Sequence, residues 1–247
     1  MQRLTAPWRS AAMSHCGVRH RENEDSCLDR PEVGLWAVAD GMGGHAEGHI
    51  ASRTLCRALG RIPASGSLPE LAMAVEAAIA EANDALLVRG TSAHPPTLIG
   101  TTVAVLAIHS GYGVCTWCGD SRVHLVRDGE AFLLTRDHSL VQEMLDRGEI
   151  DRDGARDHRA GHIVSRAVGV GNVAEIERIA IEVWPGDRFL LCTDGISRHV
   201  LVPEMADLVV DNPEAAVRGV VDLAQARGAT DDMTAIAVSL DAVGAEA

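Results

Sequence analysis

Three apolar runs in this 247-residue chain end in an aspartate beside a small or polar residue, and a fourth begins just after one. They are "LWAVADG" at Asp40, "CTWCGDS" at Asp120, "FLLCTDG" at Asp194 and "GATDDMT" at Asp231. Short apolar runs rich in Val, Leu and Ile read as buried strands, so each carboxylate stands at a strand end. Strand ends bring distant positions to one edge of a sheet and hold them rigidly. Carboxylates gathered there repel one another unless cations stand among them. Glu24 and Asp25 of "RENED" add two more near the first strand.

The rest of the chain reads as strands in runs with helices grouped between them, which predicts one α+β domain. "AEGHIASRTLCRALG" reads as a helix ending at Gly60. Ser67-Leu68-Pro69-Glu70 resembles a capping box opening a second helix to about Arg89, with Leu71, Val75, Ala78 or Ile79, Ala82 and Leu86 on one face. Four β-rich segments from Thr101 to Thr135 read as an antiparallel meander. "IERIAIEV", "WPGD" and "RFLLCT" read as a further hairpin, followed by helices over 203–210 and 213–227 and a last strand, "MTAIAVSL". Residues 1–13 are expected to be a tail, 14–242 the domain and 243–247 a second tail.

The formal charge of −13 argues against a nucleic-acid surface. No apolar run approaches the ~18 residues of a membrane span, and the N-terminal stretch lacks the apolar core of a signal peptide. A cytoplasmic location is therefore expected. Cys115 and Cys118 have C-x-x-C spacing, but residues three apart on a strand face opposite sides. They are expected to be buried structural thiols.

The glycine turn after Asp40, "DGMGGH", has no Lys to follow it and so is not a phosphate loop of the P-loop kind. Asp-Gly is also a plain turn dipeptide, and Asp128-Gly129 reads as only that. Oxygen ligands without an obvious His or Cys set favour Mg²⁺ or Mn²⁺, and Gly41 leaves its carbonyl open as a further ligand. Two such ions roughly 3.5–4 Å apart can share a water, lower its pKa and aim it at phosphorus.

Read in order, "GVRHRENEDS", "VADGMGGHAEGHIAS", "GTT", "CGDSR", "TRDHSLVQEMLDRGEI", "IVSRAVG", "PGDRFLLCTDGIS" and "ATDDMT" resemble the metal-dependent Ser/Thr protein phosphatases (PPM, type 2C), of the compact bacterial kind. The likeness spans about residues 14–240. It implies two antiparallel sheets in a β-sandwich flanked by helices, with two Mn²⁺ or Mg²⁺ ions at one end and a third, weaker ion. Asp40 would bridge the core pair and Gly41 would lend its carbonyl. Asp194 and Asp231 would be ligands, Glu24 and Asp25 would act through waters, and Asp120 would hold the third ion. Residues 136–162 would form a mobile flap. In the family an Arg three residues before the Asn of "NED" binds phosphate. Here His20 stands there between Arg19 and Arg21, so any of the three is a candidate. Met42 replaces the His of eukaryotic members, and Asp232 the usual Asn, where it tunes metal affinity or does nothing.

The implied activity is hydrolysis of phosphoserine and phosphothreonine on proteins by a water or hydroxide between the two ions, opposing a bacterial Ser/Thr kinase. Partners would be the kinase, its substrates or forkhead-associated-domain proteins, met by a monomer. A sporulation-type phosphatase is the alternative within the family. A pseudophosphatase would require loss of Asp40, Asp194 or Asp231, and all three are present. A thiol redox protein would require Cys115 and Cys118 to be exposed with lowered pKa.

Overall fold

The computed structural model describes residues 8–18, 21–43, 47–156, 158–210 and 212–240, without the side chains of Arg152 and Arg156. The strands are β1 (Trp8–His15), β2 (Asp25–Arg30), β3 (Leu35–Gly43), β4 (Ile99–Thr101), β5 (Val103–His109), β6 (Tyr112–Cys118), β7 (Arg122–Arg127), β8 (Glu130–Leu133), β9 (Glu177–Glu182), β10 (Arg188–Cys192) and β11 (Met233–Leu240). The helices are α1 (Gly48–Gly60), α2 (Leu68–Ser92), α3 (Leu140–Asp146), α4 (Arg152–Arg156), α5 (Asp194–Ser197), α6 (Val202–Leu208) and α7 (Pro213–Ala226).

Two antiparallel sheets result. One has the order β1-β11-β10-β7-β8 and the other β2-β3-β5-β6-β9, with β4 paired to β3. Between them lies a core of Trp36, Leu106 and Trp117 from one sheet against Phe189, Leu191, Ile236 and Val238 from the other. Helices α1 and α2 cover the outer face of the second sheet through Leu55, Leu59, Leu71, Ile79 and Leu86. Helices α6 and α7 cover the first sheet through Met205, Val217, Val220 and Val221. The order of layers is thus helix, sheet, sheet, helix. Central strands are covered on both faces, which is why "LWAVA", "RFLLC" and "MTAIAVSL" are apolar without alternation.

The structure corrects three expectations. Residues 8–13 are not tail: β1 pairs along its whole length with β11, from Trp8 opposite Leu240 to His15 opposite Met233. None of its residues is fully buried, which suits an edge strand. The segments after Thr101 are not one meander, because β5 and β6 pair in one sheet while β7 and β8 pair in the other, and the "GDS" turn crosses between them. Likewise β9 and β10 form no hairpin, since β9 pairs with β6 and β10 lies between β7 and β11. The turn between them is pinned to the first sheet: Arg127 donates to both oxygens of Asp187 at 2.8 and 2.6 Å and lies over the Trp184 ring. A mostly exposed strand such as β9 belongs at a sheet edge, and a fully covered one such as β10 at a centre.

Local expectations fare better. Ser67 accepts from the Glu70 amide as an N-cap, although the Glu70 carboxylate turns to Ser65 instead of closing the box. Asp128 and Gly129 both take positive φ in a plain two-residue hairpin turn. Cys115 packs between the sheets and Cys118 under the helices; both are free, and burial pushes each thiol up to about 12.

His124 is an anomaly in this core. It is fully buried on β7, shares a face with Val126, and stands opposite Leu190. Among the described residues neither ring nitrogen meets a well-placed hydrogen-bond partner. Burial, with Arg122 close by, lowers its pKa to about 3. A histidine held neutral in the fold but protonated when unfolded supports stability above about pH 6.5, and that support is lost as pH falls toward 3. Replacing His124 with Leu should therefore flatten the acid limb. In urea unfolding, the variant's advantage over the parent should grow by about 2 kcal/mol between pH 7.5 and pH 5.

Candidate metal centre

One end of the sandwich collects the acidic side chains. Asp25, the first residue of β2, and Asp40, in the second half of β3, are direct cross-strand partners. Asp194 follows β10 as the first residue of α5, Asp231 precedes β11, and those two strands pair there through Cys192 and Ala235. Asp120 lies in the turn between β6 and β7. The antiparallel pairing thus delivers to one place residues as far apart as Asp25 and Asp231, 206 positions in the chain.

The backbone around them is tightly tied. The Asp40 amide donates to Thr102 Oγ1 at 3.0 Å, and its carbonyl accepts from the Thr102 amide at 2.8 Å and Thr101 Oγ1 at 3.0 Å. Thr102 Oγ1 is also 2.7 Å from Ser121 Oγ, linking the Asp40 strand to the Asp120 turn. Thr193 Oγ1 donates to Asp25 at 2.8 Å and accepts the Thr234 amide at 3.0 Å. A side chain at Gly41 would come within 2.0 Å of the Gly48 carbonyl oxygen and 2.7 Å of that of Glu24. Only glycine lets those segments approach, and the Gly41 amide uses the approach to donate to the Glu24 carbonyl at 3.1 Å.

Asp232 has a structural task that the sequence reading did not find. Its two carboxylate oxygens accept the amides of Gly17 and Glu24, each at 2.7 Å. The residue therefore clamps both ends of the 17–24 loop to the start of β11, and this loop leads into Glu24 and Asp25.

The electrostatics are unfavourable without cations. Burial raises Asp25 to about 8, with Asp194 and Asp232 adding repulsion against hydrogen bonds from Thr193 and Thr234. Asp120 is likewise pushed up to about 8 by burial and Asp194, partly offset by Arg198 and Arg122. Asp40 is held well above the carboxylate range by burial and then by Asp194, Asp25, Asp120 and Asp231. Burial also raises Asp194, which lies within hydrogen-bonding reach of Asp40. Asp25 and Asp120 are buried, Asp40 and Asp194 partly so, and four carboxylates that resist ionisation side by side form a donor set of the kind a hard divalent cation relieves.

Among the described residues no group of three or more His, Cys, Asp or Glu side chains is placed so as to hold a metal ion. The fit lies in donor chemistry and in mutual repulsion. Arg19 and His20 lie outside the described residues, while Arg21 is exposed on its loop. Beyond the expected ligands, the structure adds Thr102, Thr193, Asp232 and Arg198. Thr102, Thr193 and Asp232 were visible in the sequence only as members of motifs, and Arg198 only by its spacing of four residues from Asp194 on one helical turn.

Residues 16–237 match the family model described as "Protein phosphatase 2C". The chain belongs to the protein phosphatase 2C family. The serine/threonine protein phosphatase PstP of Mycobacterium tuberculosis is 33% identical over 228 residues. That match covers 89% of this chain but only 44% of PstP, so the chain spans less than half of that relative. Among solved structures, PppA, "a key regulatory component of T6SS in Pseudomonas aeruginosa", superposes with a TM-score of 0.86 at 39% identity, covering 94% of this chain and 97% of that one. The catalytic domain of PstP in complex with two manganese ions gives 0.83 at 31% identity, covering 95% and 98%. The sandwich flanked by helices is the architecture of this family.

Removing the Asp232 clamp should loosen the loop that carries Glu24 and Asp25. Asp232→Ala leaves two amides without their acceptor and should cost roughly 2–4 kcal/mol. Asp232→Asn keeps one acceptor and should lose about half as much. Chemical denaturation checks both. Amide exchange at Gly17 and Glu24 should rise in the alanine variant before global unfolding does.

Proposed function

We propose that this protein is a serine/threonine protein phosphatase: it hydrolyses the monoester of phosphoserine or phosphothreonine with water, returning the hydroxyl side chain and inorganic phosphate. The observation that carries this reading is the cluster of Asp25, Asp40, Asp120 and Asp194, gathered at one end of the sandwich with Asp231 beside it. Family membership and the phosphatase relatives support it.

Asp40, Asp194, Asp231 and the Gly41 carbonyl would hold two Mn²⁺ or Mg²⁺ ions, with Glu24 and Asp25 nearby; the two manganese ions bound to the PstP catalytic domain support the number. When bound, such a pair supplies the Lewis acidity that readies a water for attack on phosphorus and neutralises phosphate charge. The chain's own residues provide position. Thr102 fixes the backbone of Asp40, Thr193 orients Asp25, and Asp232 holds the entering loop. No imidazole stands at Met42 to protonate the leaving alkoxide. A cavity of about 430 Å³ between the 136–162 flap and the cluster is lined by Asp120, Asp194, Gln142, His162 and Leu145, and gives room for residues flanking the phosphate.

The natural partners in this reading are a Ser/Thr kinase and its phosphorylated targets, forkhead-associated-domain proteins among them, acted on by a cytoplasmic monomer. The likeness to PppA adds targets in a secretion system to that set. Among the described residues no helix is long and apolar enough to cross a membrane.

The test is turnover of p-nitrophenyl phosphate and of a phosphothreonine peptide in Mn²⁺, Mg²⁺ or EDTA. Activity should need the divalent ion, and Asp40→Asn and Asp194→Asn should each lose roughly a hundredfold or more. Ion binding without turnover on either substrate would favour a phosphoprotein-binding module. Activity that survives EDTA would overturn the metal reading.

A further inference from the structure

Arg198 stands where a cation is most needed. The single turn α5 sets it four residues after Asp194, and its amide donates to the Asp194 carbonyl at 3.0 Å. Its Nη2 donates to Asp194 Oδ2 at 2.7 Å and lies 3.8 Å from Asp120 Oδ2. The same nitrogen donates to the carbonyl of Gly161 in the flap at 2.9 Å. One guanidinium nitrogen therefore joins the Asp120–Asp194 pair to the segment that closes over the cavity.

The other nearby arginine is engaged elsewhere. Arg122 holds Asp137 through two parallel bonds of 2.9 and 2.7 Å, a fork geometry that keeps it off the pair. Arg198 is thus the direct counter-ion for two nearly buried carboxylates, and its own side chain is 36% exposed, so it has room to leave.

We propose that Arg198 is a resident cation on the Asp120–Asp194 pair: it occupies the place of a third divalent ion and latches the flap through Gly161, so that such an ion binds only by displacing it. This rests on the proposed function only in taking Asp194 as a metal ligand. Loss of the guanidinium removes a competitor for the carboxylates and, at the same stroke, a tether to the flap. A divalent ion that takes the pair would release Gly161 together with Arg198. The two core ions would bind without any such exchange.

Calorimetric titration of the metal-free protein with Mn²⁺ tests the inference without reference to turnover. Wild type should bind two ions and a weaker third. Arg198→Ala should tighten the third step by about tenfold or more, the factor for losing one charged hydrogen bond. The double variant Arg198→Ala, Asp120→Asn should lose that step, with circular dichroism confirming that each protein is folded. Trypsin should also cut metal-free Arg198→Ala within residues 147–159 several-fold faster than wild type. A third step unchanged or weakened in Arg198→Ala overturns the competition, and equal cleavage rates overturn the latch. If the first two ions fail to bind any form, the metal reading under the proposed function has failed; if only the third step misbehaves, this inference alone has.

Discussion

Everything at the working end of this protein follows from like charges forced together. A carboxylate is easily placed at a strand end but costly beside another carboxylate away from water, and here four of them, two buried and two partly so, stand together. Such a cluster pulls the fold apart unless the backbone around it is held by other means. The sheets do most of that holding. Asp25 and Asp40 are brought opposite each other by six consecutive cross-strand pairs, and Asp194 and Asp231 by the β10–β11 ladder. The large apolar interface between the sheets makes those ladders hard to open, so the repulsion is borne by the core and not by the loops.

The loops are then held by groups that are not ligands. Asp232 gives its carboxylate to two amides, Thr193 gives its hydroxyl to Asp25, and Thr102 ties Asp40 to the Asp120 turn. Asp232 and Thr102 pin segments of the site without taking up the oxygens of Asp40 or Asp120, while Thr193 occupies one oxygen of Asp25. A charge spent on an amide, as at Asp232, also adds to the negative field at Asp25. The clamp and the repulsion therefore come from neighbouring residues, and a cation set in the cluster relieves the strain that the clamp helps to create.

How much of this could be read from the chain varied with how local the cause was. Apolar runs ending in aspartate were visible because burial on both faces writes itself into composition, and the glycine after Asp40 because close backbone approach admits nothing larger. The opposed facing of Cys115 and Cys118 followed from strand geometry alone. Sheet membership did not: "WPGD" and "CGDS" look like hairpin turns, yet each carries the chain between sheets, and only the pairing of β6 with β9 and of β7 with β10 shows it. The tail expected over residues 8–13 failed for a related reason, since an edge strand with polar residues on one side is recognisable only once its partner β11 is in place. Asp232 was noticed for its identity but not for its task, because its partners are main-chain amides over two hundred residues away, and amides leave no mark on a sequence.

Arg198 shows how one turn of helix can join two functions that the chain otherwise keeps apart. The flap leaves the sandwich after His138 and returns at Ser165, where the Ser165 amide donates to the His138 carbonyl and Ser139 bridges Val164. That neck fixes where the flap begins and ends but not how closely its far part lies over the cluster. Among the described residues the Gly161 carbonyl meets the cluster through the Arg198 guanidinium, which the carboxylates below hold in place. An uncharged residue at 198 would remove the bond that, among the described residues, ties Gly161 of the flap to Asp194. With arginine there, the charge state of the cluster and the position of the flap become one equilibrium, because the nitrogen that neutralises Asp194 is the nitrogen that holds Gly161.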